Sequence, residues 1–203
     1  TKMLLLGGMV CGTLLCISSC LQQKGISYTT VGKAGFITSL YILIVPVIGL
    51  FLGHKCSKKI WGCIGLAVVG LYLLCITDRF WLSRGDALVL LCALGFAMHI
   101  LAVDYFSGRA NAVKLACLQF FVSSIVAGIF MVSIERPTLA QIWSAWPTLL
   151  YTGALSCGVA YTLQMVGQKN LNPATASLIM SFEAVFALLA GAVLLKEFLT
   201  MRE

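Results

Sequence analysis

The residue with the clearest chemical potential is Glu183, because it stands inside a long apolar run. It is the tenth residue of the run Ala174–Leu195. On a helix this position lies roughly 14 Å along the axis, near the middle of a bilayer. An unpaired carboxylate there costs about 3 kcal/mol or more, so it needs a cavity, a partner or a proton. Two interpretations stay open: a site for a substrate amine or a proton, and a protonated carboxyl bonded to a neighbouring helix.

Four other polar side chains could bind a solute or join helices. Gln22 and Gln164 could line a pore, or bond across helices as amides commonly do in membranes. Lys33 precedes an apolar run, so it either extends to the membrane interface or contacts an anionic substrate group. His99 is isolated within an apolar run. A hydrogen-bonded structural histidine is the simpler interpretation, and a role in lining the pore is the alternative.

The sequence lacks the residue sets that support catalysis or tight metal binding. It contains no HExxH motif, no paired carboxylates at catalytic spacing and no phosphate-binding loop. The nine cysteines lie almost entirely in apolar runs, none with CxxC spacing, and there are only two histidines. We therefore predict that the protein is not an enzyme and that it needs no metal and no cofactor.

Composition predicts an all-α integral membrane protein in contact with the lipid bilayer. Of the 203 residues, 60% are hydrophobic and only 10% are charged, whereas a soluble domain has about 25% charged residues. The net charge of +7 suits cytoplasmic loops beside anionic headgroups. No run rich in lysine and arginine contains interleaved aromatic residues, so nucleic acid is not an expected partner.

Seven apolar runs are long enough to cross a bilayer as helices. They cover residues 3–22, 34–53, 60–77, 87–106, 112–134, 146–166 and 174–195. Asp86 stands where an N-cap of the fourth run is expected, and Thr29 and Thr30 could cap the second. The amphipathic segment 135–146 is predicted to form a short interfacial helix.

The basic cluster at residues 54–59 is the densest in the chain and favours a cytoplasmic position for that loop. Helix alternation then places Lys33, Arg84 and Asp86 on the outer side of the membrane. Lys24 and Lys33 are basic residues on that outer side and count against this orientation.

The run Ala34–Gly53 carries a stripe of small residues on one helical face, spaced alternately four and three residues apart. Its members are Gly35, Ser39, Ile42, Pro46, Gly49 and Gly53. Lipid does not require such a stripe, whereas another helix at close backbone contact does. The stripe predicts a helix-packing face, and Ser181 and Gly191 occupy equivalent positions in the seventh run.

An internal repeat relates the second run to the seventh. When the sequence is shifted by 142 positions, Gln22 aligns with Gln164, Tyr41 with Glu183 and Gly49 with Gly191, without gaps. The repeat unit is then five runs, and an odd number inverts the second copy, as in many secondary transporters. Two such units need about ten helices, so this phase places two helices before residue 1 and one after residue 203. Tyr41 becomes a candidate site residue as the repeat mate of Glu183.

Three stretches resemble the EamA-type proteins of the drug/metabolite transporter superfamily. GISYTTVGKAGFITSLYILIVPVIGLFLG, followed by a basic turn and IWGCIGLAVVGLYLL, resembles the end of the first half. GDALVLLCALGF resembles the start of the second half, and SFEAVFALLAGAVLLKEFLT resembles its closing motif. The resemblance implies ten helices in an inverted 5+5 repeat and small-solute transport through a central cavity. Ala184 stands where the motif usually has proline, which predicts a straighter helix there.

These observations together predict a secondary transporter. Residues 1–77 would hold helices 3–5 of the first repeat, and residues 78–203 would hold helices 6–9 of the second, without its last helix. The predicted activity is export of small metabolites or drugs by alternating access, in a plasma membrane and specifically a bacterial inner membrane. Proton coupling and a homodimer are both compatible with the sequence. A seven-helix receptor or sensor is the alternative, and an intramembrane enzyme is a weaker one.

Overall fold

The computed structural model describes residues 2–29, 31–75 and 83–186, and these ranges contain helices and short connections but no strand. The helices are α1 (Lys2–Ile26), α2 (Val31–Ser39), α3 (Tyr41–Phe51), α4 (Lys58–Cys75), α5 (Arg84–Ser107), α6 (Ala112–Phe130), α7 (Leu139–Ser144), α8 (Trp146–Leu150), α9 (Thr162–Gln168) and α10 (Pro173–Met180). A π-helical turn, Met131–Glu135, extends α6, and a longer π-helical segment, Tyr151–Tyr161, joins α8 to α9.

Five helices among the described residues are long and apolar enough to cross a membrane. They are Lys2–Ile26, Lys33–Phe51, Arg84–Ser107, Ala112–Glu135 and Trp146–Gln168. The third predicted run corresponds to the 18-residue helix α4, and the seventh to the shorter apolar helix Pro173–Phe186. Residues beyond 186 lie outside the described part of the chain. The helical, membrane-type fold agrees with the prediction, while the seven spans and the ten-helix inverted repeat stay predictions.

Local capping explains where several of these helices begin. The side chain of Asn172 accepts a hydrogen bond from the backbone N–H of Ala174, and Pro173 occupies the first turn of α10. Thr138 and Gln141 form a reciprocal capping box at the start of α7. The segment 135–146 therefore contains a short helix, as predicted.

The chain divides into two compact units, and each is described by itself. The first comprises Thr1–Cys16 and Ala102–Leu171. Its core is Cys11, Val103, Phe106, Ala112, Leu115, Ala116 and Met165. Gly8 and Gly12 of α1 face α6 so closely that a Cβ on Gly12 would lie 2.5 Å from the carbonyl oxygen of Gln119. The GxxxG pair is thus a site of close helix packing, as its spacing predicts.

The second unit comprises Ile17–Leu101 and Asn172–Glu203, and it has two apolar clusters. The first cluster contains Ala34, Phe36, Ile37, Leu71 and Val89. The second cluster contains Tyr41, Val45, Ala97, Ile100 and Leu101. Met180 packs against the second cluster and Ala184 against the first. Helix α10 contacts α3 and α4.

The two helices aligned by the repeat are therefore in direct contact, and each contains a tightened turn. The backbone dihedrals are φ −62° and ψ −11° at Leu40, and φ −63° and ψ −16° at Ser181. At each turn an N–H bonds the carbonyl three residues back: Leu43 to Leu40 at 2.9 Å, and Ala184 to Ser181 at 3.3 Å. Ser181 also donates its hydroxyl to the carbonyl of Leu178, a bond that favours bending. The helix is thus interrupted just before Ala184 although no proline stands there.

The predicted small-residue stripe has mixed roles in the second unit. Ser39, Pro46, Gly49 and Ser181 are buried, and the Ile42 side chain is buried with them. Two glycines act differently. Among the described residues, a Cβ on Gly35 would meet no atom within 4 Å. Gly53 has a φ of 85°, a left-handed conformation that ends the α3 segment and favours glycine. The packing role of these two glycines stays a prediction, and Gly191 lies outside the described residues.

Candidate functional site

A buried ion pair is the most strongly built polar feature of the second unit. The Nζ atom of Lys33 lies 3.0 Å from Oδ2 of Asp86, and the two side chains are 14% and 1% exposed. Asp86 also accepts hydrogen bonds from the Thr29 hydroxyl at 2.5 Å and the Ser83 backbone N–H at 2.7 Å. We call Thr29, Lys33, Ser83 and Asp86 the Asp86 cluster. Three donors, one of them charged, offset the cost of burying this carboxylate.

Two glycines bring the cluster together. A Cβ on Gly85 would lie only 2.8 Å from the carbonyl oxygen of Gly25 and 2.8 Å from Cβ of Tyr28. The end of α1 and the beginning of α5 are therefore in backbone contact, which only residues without a side chain allow. This contact places Asp86, in the first turn of α5, within reach of the segment between α1 and α2.

The cluster corrects two predictions about helix caps. Ser83, and not Asp86, holds the N-cap position of α5, because the Ser83 hydroxyl accepts from the Asp86 N–H at 3.1 Å while Asp86 accepts from the Ser83 N–H. Asp86 lies in the first turn of α5, where its negative charge interacts favourably with the positive end of the helix dipole. Thr29 donates to Asp86 instead of capping the second span, and Thr30 lies outside the described residues. The spacing S-x-x-D before an apolar run is the signal that could have identified this box.

Lys33 has a protein partner that neither of its interpretations included. Its ammonium group bonds Asp86 and is mostly buried. Gln22 donates from Nε2 to the Thr38 hydroxyl at 3.3 Å, which joins α1 to α2 and favours the helix-bonding interpretation. His99 is buried within α5, in the same unit. Gln164 is half-buried on α9 of the first unit.

Tyr41 and Glu183 differ in their surroundings although the repeat aligns them. Tyr41 is 5% exposed in the second apolar cluster. Glu183 is exposed on the short helical turn that follows Ser181. Its neighbours Met180 and Ala184 both pack onto the apolar clusters of this unit. The segment that carries Glu183 therefore packs, through Met180, against the apolar cluster that contains Tyr41, the repeat mate of Glu183.

Metal chemistry has no visible support in the described ranges. They contain no group of three histidine, cysteine or acidic side chains that could hold a metal ion. The polar groups of the second unit that could contact a solute include the carboxyl of Glu183, the Asp86 cluster and the amide of Gln22.

Replacing Asp86 with asparagine should destabilise the protein by about 2 kcal/mol, because the Lys33 ammonium loses its charged partner while it stays mostly buried. The measurement is thermal unfolding of the purified protein in detergent. Asp104→Asn on the same helix is the matched control, since Asp104 is only half-buried. Equal losses in both variants would mean that the cluster adds nothing beyond a general charge effect.

Comparison with known proteins identifies the family. The model of the EamA-like transporter family matches residues 83–203, which is more than half of the chain. The chain belongs to the EamA-like transporter family. The resemblance to EamA-type members of the drug/metabolite transporter superfamily is thus confirmed. Membership favours a multi-pass membrane transporter over a receptor, a sensor or an enzyme.

Curated relatives agree with this assignment. An uncharacterized transporter of Archaeoglobus fulgidus is 34% identical over 184 residues, which cover 88% of this chain and 58% of the relative. The threonine/homoserine exporter RhtA of Salmonella typhimurium is 29% identical over 156 residues, which cover 75% of this chain and 52% of the relative. This EamA-like chain therefore spans between half and three-fifths of the length of these relatives.

A crystal structure of another protein shares the fold. The similarity has a TM-score of 0.78 and covers 98% of this EamA-like chain and 80% of the other chain. The two sequences are only 14% identical, so this likeness concerns the fold alone.

Proposed function

We propose that this EamA-like transporter exports small metabolites by alternating access through a cavity between two inverted repeats. The observation that carries the proposal is the contact of α10 with α3, because the 142-residue repeat aligns the two apolar runs that contain these helices. Both carry the same tightened turn, at Leu40 and Ser181. The shift of 142 positions aligns Leu40 with Phe182, so the two turns lie within one residue of equivalent positions. Interrupted helices of this kind support a transport mechanism in which one repeat moves against the other. Residues 1–77 and 78–203 are the proposed repeat portions.

The substrate that we propose is a small metabolite with an ammonium group, such as an amino acid. The carboxylate of Glu183 is exposed on the apolar helix Pro173–Phe186 and would attract such a cation. The relative named threonine/homoserine exporter supports an amino-acid substrate. We further propose that Glu183 couples export to protons, with Tyr41, Gln22, Gln164 and His99 as the supporting polar residues. The proposed location is the bacterial inner membrane, and a homodimer stays a prediction.

The test is transport by the full-length protein in proteoliposomes. Radiolabelled threonine and homoserine are the probes, and uptake is measured with and without an imposed pH gradient. We expect uptake above that of empty liposomes, stimulated by the gradient and abolished by a protonophore. Uptake that is insensitive to the gradient would remove proton coupling. Failure to transport either probe, with the protein folded, would contradict the amino-acid substrate.

A further inference from the structure

We propose that the Lys33–Asp86 ion pair is a latch that holds the first turn of α2 on the first turn of α5 and opens during transport. The proposal rests on the transport function above. Lys33 and Asp86 belong to different helices, and their ion pair links the two first turns directly. Thr29, at the end of the preceding turn, adds a second bond to the same carboxylate. The ion-paired arrangement described here is then the closed state of this end of the unit.

Helix α2 is a short segment that can rotate relative to its neighbours. It has nine residues, with a turn before it and the tightened turn at Leu40 after it. Several of its contacts are apolar: Phe36 packs edge-to-face on Tyr72, with ring centroids 5.8 Å apart, and Ala34 and Ile37 lie in the first apolar cluster. Apolar contacts are non-directional and tolerate sliding. The ion pair and the hydrogen bond from Gln22 to Thr38 are directional, so they define one position of α2.

The pair is placed so that it can open without leaving a bare carboxylate in the protein. Asp86 keeps its bond from the Ser83 N–H when Lys33 leaves, because that bond lies within the first turn of α5. The Lys33 side chain is 14% exposed, so the protein does not enclose it completely. A fully buried pair would resist separation much more strongly. The backbone contact of Gly25 with Gly85 keeps α1 and α5 together, which leaves α2 as the element that moves.

The first experiment measures hydrogen exchange of the full-length protein in nanodiscs. In Lys33→Met, we expect amides of residues 31–40 to exchange about tenfold faster, while those of residues 41–51 stay unchanged. Lys24→Met is the matched control, because Lys24 lies near the same end of the unit and its ammonium stacks on the Tyr28 ring, 5.6 Å from the centroid. Thr29→Val, which removes one uncharged donor to Asp86, should have a smaller effect in the same direction.

The second experiment separates a latch from a structural tether. Proteoliposomes with Lys33→Met should keep an initial rate of threonine or homoserine transport within about twofold of wild type. Their steady-state gradient should fall to about a third, because an end that does not stay closed lets solute return. Faster exchange with an unchanged gradient would make the pair a structural tether and overturn the latch. Unchanged exchange in Lys33→Met would overturn it directly.

These outcomes are distinguishable from a failure of the proposed function. If the wild-type protein transports neither probe, the substrate proposal fails, while the exchange experiment still tests whether the ion pair holds α2. If Lys33→Met does not fold, Thr29→Val carries both measurements. Equal effects of Lys24→Met and Lys33→Met would assign the change to the general loss of positive charge and would also overturn the latch.

Discussion

Glu183→Gln should reduce proton-driven transport by about a hundredfold or more, since glutamine has nearly the same shape but can neither carry a proton nor attract an ammonium group. The change should leave folding almost unaffected, because Glu183 is exposed in the described part of the chain. The measurement pairs proteoliposome transport with thermal unfolding in detergent. A loss of activity without a loss of stability is the expected signature of a functional carboxylate.

A matched control tests whether any exposed carboxylate would behave in this way. Glu135 is also exposed, at the end of the span Ala112–Glu135. Glu135→Gln should keep transport near the wild-type level. If Glu183→Gln transports at the wild-type rate, the carboxyl has no coupling role. If it loses stability instead, the interpretation of a carboxyl bonded to a neighbouring helix is the correct one.

Gly12→Val should destabilise the protein by about 3 kcal/mol, because the new side chain would meet backbone and not the flexible end of a side chain. A Cβ on Gly12 would lie 2.5 Å from the Gln119 carbonyl oxygen and 2.9 Å from Cβ of Val122. Neither group can move without displacing α6 from α1. The measurement is the free energy of unfolding of the purified protein in detergent.

The control for Gly12 is a glycine with open space around it. In the part of the chain that the structure describes, a Cβ on Gly128, also within α6, would meet no atom within 4 Å. Gly128→Ala should therefore stabilise the protein by up to about 1 kcal/mol, which is the difference in helix propensity. If Gly12→Val and Gly128→Ala change stability equally, α1 and α6 do not pack as closely as described.

Helix positions could be predicted from the sequence because a helix that crosses a lipid bilayer must be a long and continuous apolar segment. Long apolar runs satisfy this requirement locally, so the first, second, fourth, fifth and sixth predicted runs match the five long apolar helices within a few residues. The close packing at Gly8 and Gly12 was visible for a similar reason, since small residues four apart lie on one helical face. Spacing alone does not distinguish a glycine that packs against another helix from a glycine that ends a helix. Gly53 has the φ of 85° that is typical of a helix end.

The Asp86 cluster could not be predicted because it depends on contacts between distant segments. Lys33 and Asp86 are 53 positions apart. The contact of Gly25 with Gly85 and the packing of Val89 with residues of α2 bring them together. Each residue alone has an ordinary explanation, as an interfacial lysine or a helix cap. The tightened turns at Leu40 and Ser181 escaped prediction too, because neither residue type breaks a helix by itself.

The matching bends at Leu40 and Ser181 have an energetic consequence. If the two repeats exchange conformations during transport, a turn lost in one would be replaced by a turn of nearly the same geometry in the other, because their backbone dihedrals agree within 5°. The inward-open and outward-open forms would then differ little in intrinsic free energy. Such a balance lets a small differential binding energy, of about 1–3 kcal/mol, reverse the preferred direction of opening. Equivalence of the two bends would thus make the protein easy to drive with a weak ligand or a modest ion gradient.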